Sequence, residues 1–287
     1  MTSRGERWLG VLLVAPALLA LAAVAAYPAA GVVALALSRR MPVFQIDEPV
    51  GLANFAFLAG DDAFWKAVGV TVRFTIASVA LELALGVAAA LLIHGQRRFR
   101  AVAIGLLLLP WCLPPVVTAR SFEWLLHPTS GIVNALAGRP INWLGDPTLA
   151  LGAVVAADVW RTMPFVALLA LARLSAIPAA VYEAAAVDGA RGFAAFRTIT
   201  LPLLAPVLIV ATLFRTLDAF RAFDLPFVLT GGGPASTTET VTLYAYRNLF
   251  QMLQLGFGAA VSTVVFAAVI LFAWLSLRLH ERHERLT

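Results

Sequence analysis

An all-α membrane protein of six transmembrane helices is what this sequence predicts, from its composition, from the spacing of its apolar runs and from the character of those runs. Of its 287 residues 61% are hydrophobic and 13% charged, and the mean hydropathy is +0.88, values outside those of water-soluble domains. Predominantly apolar runs fall at 9–37, 66–94, 101–126, 148–173, 203–230 and 255–279. Each is long enough as a helix to cross about 30 Å of hydrocarbon, which takes roughly 20 residues. The runs are long and rich in Ala and Leu rather than short and alternating in polarity, which sets a β-barrel aside. Residues 1–287 read as a single membrane domain.

The first run is about twice the length of a secretory signal's apolar core, so it is read as a retained helix. The gap 38–65 is too short for a folded domain, and the gap 127–147 is punctuated by His127-Pro128, Gly138, Pro140 and Asp146-Pro147. Any high-affinity recognition outside the membrane therefore has to come from another polypeptide. Prolines recur inside the runs, at Pro16, Pro28, Pro110, Pro114, Pro115 and Pro164. Each removes a backbone hydrogen bond and favours a kink, and a kinked bundle suits a cavity. No internal repeat of the kind found in the inverted halves of secondary transporters is visible.

Basic residues near helix ends favour the cytoplasmic side, and here they alternate from gap to gap. One set holds eleven: Arg4, Arg7, Arg97, Arg98, Arg100, Arg173, Arg191, Arg197, Arg278, Arg282 and Arg285. The other holds five, Arg39, Arg40, Lys66, Arg139 and Arg247, with Asp47, Glu48, Asp61 and Asp62 making the first outer gap acidic overall. Both termini and the gap 175–202 are then expected on the cytoplasmic side. The net charge of +5 follows from this topology rather than from a basic face for nucleic acid, which is not expected as a partner. Cys112, the only cysteine, leaves no disulfide or Cys-rich metal site, and His280 and His283 lie in a charged tail that reads as solvated surface, so no metal site is expected.

The gap 175–202 has an internal logic. Ile177-Pro178 opens a short Ala-rich helix over Ala179–Val187, Gly189 breaks it, and 191–199 forms a second short helix that Pro202 separates from the next span. Small residues at Ala184, Ala185 and Ala186 let another backbone approach, and Glu183 and Asp188 offer anionic contacts. An interfacial hairpin with no partner is the plainer reading of Ala-rich sequence alone. The spacing, however, is Glu183-Ala184-Ala185, three residues, Gly189, nine residues, then Ile199-Thr200-Leu201-Pro202. It resembles the signature loop of the permease subunits of ATP-binding-cassette importers. The resemblance implies a type I importer permease fold and a coupling helix seated in a cleft of a cytoplasmic ATPase, with Glu183 against a basic group of that ATPase and Gly189 making the turn. It also implies the partners: a second homologous permease, two copies of the ATPase and an extracytoplasmic sugar-binding protein, in a prokaryotic cell membrane whose lipid surrounds the chain. This sequence carries no G-x-x-x-x-G-K-[ST] loop, so no cofactor is expected here, and ATP and Mg belong to the partner ATPase.

A second segment narrows the substrate. Phe220-Arg221-Ala222-Phe223-Asp224, then Leu229-Thr230-Gly231-Gly232-Gly233-Pro234, Thr237-Thr238 and Leu243-Tyr244-Ala245-Tyr246 resemble the fifth helix and following outer loop of permeases for di- and oligosaccharides and for glycerol phosphate. Residues 215–224 are most similar to the first permease of trehalose and related maltose importers. The enteric maltose permease has additional N-terminal helices and a large outer insertion, so contacts made there are not carried over.

Charges inside spans cost roughly 2.5–3.5 kcal/mol each at a helix centre and so call for partners, water or function. Arg215, Asp218, Arg221 and Asp224 alternate in sign at intervals of three, and neighbours along such a helix can pair in a slowly turning ladder. Asp158 with Arg161, and Arg120 with Glu123, repeat the spacing. Any one pair could serve packing alone; the set reads as a hydrated wall. Sugar hydroxyls suit Arg and Asp, and sugar C–H faces suit rings such as Trp160, Phe165, Phe220 or Phe223. The expected function is a permease for a trehalose- or maltose-like sugar. A glycerol-phosphate or polyol permease, an ion-coupled carrier using the buried Asp residues, and a scaffold remain open at this point. The signature loop argues against the carrier and the scaffold, and a neighbouring reading frame for an ATPase and a lipoprotein-like binding protein would separate the permease readings from them.

Overall fold

The computed structural model describes residues 4–96 and 98–284. Arg97 and Arg285, both counted in the cytoplasmic basic set, lie outside the described residues, as do the side chains of His280 and His283. Among the described residues five helices are long and apolar enough to cross a membrane: Val11–Ala36, Asp62–Gly95, Ala150–Ser175, Phe193–Phe220 and Leu255–Ser276. A further pair, Arg100–Cys112 and Pro115–Leu125, is apolar and long enough only when its halves are taken together, and 96° separates them. It counts as a sixth, broken span, called the third below, when the two halves are taken as one. The run 101–126 is therefore not one rod. Leu113 precedes Pro114 and Pro114 precedes Pro115, and a residue before proline is pushed out of helical geometry; their ψ angles are 135° and 144°.

Two further boundaries differ from the sequence reading. Pro202 does not separate 191–199 from the fifth span. The helix runs unbroken from Phe193 to Phe220 because a wide turn over Phe196–Thr200 precedes the proline, with Leu201 N–H bonded to the Phe196 carbonyl. The fifth span also ends ten residues before 230. Arg221 leaves the helix, and a separate helix covers Asp224–Thr230 with Pro226 in its first turn, where a missing N–H does least harm. The carbonyl that Pro226 cannot serve, that of Ala222, accepts instead from the Thr240 hydroxyl at 2.9 Å.

Cα packing resolves two compact units where the sequence reads one domain. The first comprises Met1–Asp62 and Tyr244–Ala268, the second Ala63–Leu243 and Val269–Thr287. In the first, an antiparallel hairpin pairs Ser38–Met41 with Ile46–Pro49, a β element the all-helical expectation lacks. It gives the two arginines of the gap 38–65 acidic neighbours: Arg39 stands opposite Glu48, and Arg40 lies 3.5 Å from Asp47. Asn54 fastens the hairpin by donating to the carbonyls of Ala36 and Ser38, both at 2.8 Å, and Tyr244 donates its hydroxyl to Asp61.

The second unit carries the site. Phe74 and Val79 of the second span pack on Val154, Val155 and Val159 of the fourth, and Ala219 and Leu225 close the same cluster. A lower cluster joins Val87, Ala90 and Ile93 to Ala170, Leu171, Leu174 and Leu204. Between them the second and fourth spans touch at Gly86, where a Cβ would stand 2.8 Å from that of Val166. Only glycine permits that approach. The connection before the fourth span is held by its own polar groups: Asn134 donates to the carbonyls of Pro128 and Ile141 and accepts from Trp143 Nε1. The Thr148 hydroxyl and N–H both donate to Asp146 and hold its carboxyl below the usual carboxylate range. The Gly-Gly-Gly-Pro loop is knotted likewise, by Thr230 to Thr238, Thr238 to the Gly233 carbonyl and Thr237 to the Pro234 carbonyl.

Candidate functional site

Two places in the second unit gather the residues singled out from sequence. The first is the loop 175–202. Its helix spans Ala179–Val187, the predicted bounds, and ends in a Schellman cap: Gly189 N–H bonds the Ala186 carbonyl at 3.3 Å and Ala190 N–H the Ala185 carbonyl at 2.8 Å. That geometry requires positive φ at Gly189, which has +83°. Gly192, which the sequence reading passed over, is also at positive φ, +55°. The root is tied down: Arg100 donates to Ser175, Arg173 to the Leu203 carbonyl, and Tyr182 meets the Thr200 hydroxyl at 3.2 Å. Ala185 is buried, Ile199 is half-buried, and Leu201 and Pro202 lie exposed where the fifth span begins. The far side presents Glu183, Ala184 and Asp188, with Val187 at 88% exposure and Phe193 at 76%. Among the described residues Glu183 and Asp188 have no ion-pair partner. So the loop is a rigid, anchored projection carrying acidic groups and two bare apolar side chains.

The second place is a cavity of about 270 Å³ lined by Asp158 and Arg161 of the fourth span, Asp218 of the fifth, the Arg221–Leu225 connection and Pro115 at the break of the third span. Beneath it lies a buried charge network. The Arg215 guanidinium, on a residue 4% exposed, donates from Nε to Glu82 Oε2 at 2.5 Å and from Nη2 to Glu82 Oε1 at 2.8 Å. It reaches Asp158 Oδ2 at 3.2 Å through Nη2 and Asp218 Oδ2 at 2.5 Å through Nη1. Asp158 also faces Arg161 at 3.5 Å, Asp218 faces Arg221 at 3.7 Å, and the Thr162 hydroxyl donates to Glu82 at 2.6 Å. Three carboxylates and three guanidiniums are thus balanced across three spans.

The predicted set is brought together only in part. Asp158, Arg161, Asp218, Arg221, Phe223 and Asp224 line the cavity, and Arg215 supports it from behind. Asp224 is not the fourth rung of a ladder, because the helix stops at Phe220 and Asp224 opens another; among the described residues it forms no ion pair. Arg120 and Glu123 pair at 2.5 Å on the outer face of the broken third span, away from the cavity lining. Trp160 points outward with its ring 5.6 Å from that of Phe122, and Phe220 lies outside the lining. Phe223 stacks on Phe227 at 5.1 Å. Glu82 was missed. It is the one acid in the interior of the 34-residue helix Asp62–Gly95 and is 0% exposed, and a lone carboxylate at such depth is itself the signal.

A kinked helical bundle with a charged cavity and an anchored acidic loop defines an integral membrane transport component. Residues 82–285 match the family described as binding-protein-dependent transport system inner membrane component, and the chain belongs to that family. It is 41% identical over 271 residues to the trehalose/maltose transport system permease protein MalF of Thermococcus litoralis, covering 93% of this chain and 92% of that one. It is 38% identical to the sulfoquinovosyl glycerol transport system permease protein SmoG of Agrobacterium fabrum, covering 92% and 87%. To the trehalose transport system permease protein SugA of Mycobacterium tuberculosis it is 37% identical, covering 96% and 89%. A chain in the crystal structure of a bacterial ABC transporter involved in import of the acidic polysaccharide alginate shares its fold, with TM-score 0.82 and 20% identity over 97% of this chain and 96% of that one. The same match holds for that transporter in complex with alginate pentasaccharide-bound periplasmic protein. Family membership removes the ion-coupled carrier and the scaffold from the readings left open by the residues.

Proposed function

We propose that this chain is a permease subunit forming the path for an uncharged di- or oligosaccharide of trehalose or maltose type. An extracytoplasmic binding protein delivers the sugar, and two copies of a cytoplasmic ATPase, using ATP and Mg, drive the subunit and a second permease between outward- and inward-open states. The relatives differ in cargo, and the cavity supports a choice among them. Its three nearby guanidiniums are each held by a carboxylate, while Asp224 stands as a surplus negative charge. A phosphate or sulfonate entering there finds each of these cations already in an ion pair and meets the charge of Asp224; a neutral polyhydroxyl compound can use both signs of charge in hydrogen bonds. This balance carries the preference for a neutral sugar over glycerol phosphate.

The test is reconstitution of this chain with its partner subunits in proteoliposomes. ATP-dependent uptake of radiolabelled trehalose or maltose is expected, with no uptake by this chain alone and none of glycerol 3-phosphate. Uptake of glycerol 3-phosphate, or of neither disaccharide, would overturn the reading.

In the same proposal both termini and the loop 175–202 face the cytoplasm, which the distribution of arginines supports. A single cysteine at Ala190→Cys, in a Cys112→Ser background, is expected to resist a membrane-impermeant thiol reagent in intact cells and to react once they are opened. Reaction in intact cells would reverse the orientation.

A further inference from the structure

We propose that Glu82 is a positioning residue for the sugar cavity, acting through Arg215 to fix where the carboxylates of Asp158 and Asp218 stand on its wall. The proposal rests on the reading of the cavity as a sugar site. Glu82 itself lines no part of it. It belongs to the second span, whereas the cavity is built from the third, fourth and fifth spans and the connection that follows.

The link between them is a single planar group. A guanidinium presents its five N–H bonds in one rigid fork. Glu82 takes one edge of that fork, the Nε and Nη2 side, through both of its oxygens. The remaining bonds of Nη2 and Nη1 are then aimed in fixed directions, one to Asp158 and one to Asp218. Glu82 is fixed in turn by the Thr162 hydroxyl, one helical turn beyond Asp158 on the fourth span, and by the close approach of the two spans at Gly86. With 0% exposure at Glu82 and 4% at Arg215, water is not on hand to replace either partner. Moving the carboxylate edge rotates the fork, and rotating the fork displaces both cavity carboxylates together.

Charge balance alone would ask less of Glu82. Asp158 and Asp218 already have Arg161 and Arg221 as partners, so the pair Glu82 and Arg215 is neutral as a unit. If that unit only packs three spans together, deleting both charges leaves a balanced site, and a buried pair replaced by neutral groups is often tolerated. If it positions, the same double change leaves assembly intact and the cavity carboxylates unaimed.

The experiment measures the sugar concentration for half-maximal uptake, the maximal rate and the yield of assembled complex in proteoliposomes, with whichever of trehalose or maltose the wild type carries. Glu82→Gln turns an amide NH2 toward the guanidinium and is expected to raise the half-maximal concentration about tenfold, the scale of one lost charge-assisted hydrogen bond. Glu82→Asp keeps the charge but is shorter by about 1.5 Å, too short to hold the fork in place, and is expected to fall between. Glu82→Gln with Arg215→Gln is expected to assemble at the wild-type yield and still show the raised concentration, which also serves where Glu82→Gln alone assembles poorly. Wild-type half-maximal concentration in the double variant overturns the positioning role, provided Asp158→Asn or Asp218→Asn raises it. If both Asp variants also bind sugar as the wild type does, the cavity reading has failed, and this proposal falls with it.

Discussion

Arg215→Leu is expected to remove this subunit from the assembled complex. The substitution keeps bulk and deletes the cation that three carboxylates share, Glu82, Asp158 and Asp218. Asp158 and Asp218 retain Arg161 and Arg221, but Glu82 is left with the Thr162 hydroxyl alone, at zero exposure. Breaking a buried pair by removing one partner costs about 3–5 kcal/mol, against a typical total stability of about 5–15 kcal/mol. Arg215→Lys is expected to lie between, because a point ammonium cannot serve four oxygens in one plane. The comparison that isolates burial is Arg120→Leu. Arg120 pairs with Glu123 at the same 2.5 Å, yet its side chain is 62% exposed in this subunit, so its loss strands no carboxylate sealed within the subunit. Yield of complex after solubilisation and its melting temperature would show the difference; equal melting of Arg215→Leu and wild type would refute the network's part in stability.

Much of this organisation is legible in the residues, and the parts that are not have physical causes. The helix Ala179–Val187 and the turn at Gly189 are local, set by Pro178 before and glycine after, so sequence places them with the observed bounds. The 96° break of the third span was announced by Pro114-Pro115, but only as a kink, since a proline pair says that the helix stops and not which way it resumes. The i, i+3 charges from Arg215 to Asp224 suggest one continuous helix; Arg215 and Asp218 lie on it, and Arg221, just past its end, still faces Asp218 at 3.7 Å. Pro226 is the local sign of the break beyond Phe220, while the partner that satisfies the Ala222 carbonyl, Thr240, lies eighteen residues on and is set by tertiary structure. The hairpin at Ser38–Met41 hides because its arginines look like topology signals until Asp47 and Glu48 are seen across the ladder. Glu82 was readable as a lone acid in a span, but its partner lies 133 residues away in sequence and no spacing rule reaches that far.

Glu183→Ala is expected to abolish sugar uptake while leaving this subunit inserted and folded. The carboxylate stands exposed on a helix whose hold on the chain comes from other groups, namely buried Ala185, the Tyr182 and Thr200 hydroxyls, and Arg173 at the Leu203 carbonyl. Removing an exposed side chain with no intramolecular ion pair costs within about 0.5 kcal/mol. In the docked state that the resemblance of this loop implies, with Glu183 against a basic group of the ATPase, the same change strands that cation, and losing one member of a buried interfacial charge pair costs about 2–5 kcal/mol. The effect thus appears in the complex and not in the subunit. Gly189→Val is expected to act alike by another route. No atom lies within 4 Å of the Cβ position there, so the obstacle is the +83° φ itself, which a β-branched residue resists. Unwinding the Schellman cap displaces Val187 and Phe193, the two bare apolar groups flanking the turn, together with the Glu183 helix that the resemblance seats in the ATPase cleft. Gly189→Asn, which tolerates left-handed geometry, is expected to retain most uptake. The readouts are membrane insertion, co-purification of the ATPase, and stimulation of ATP hydrolysis by sugar-loaded binding protein. Wild-type uptake and stimulation in Glu183→Ala would take the coupling role away from this residue, and equal loss in Gly189→Asn and Gly189→Val would show that the turn is sensed through the absent side chain rather than through its backbone angle.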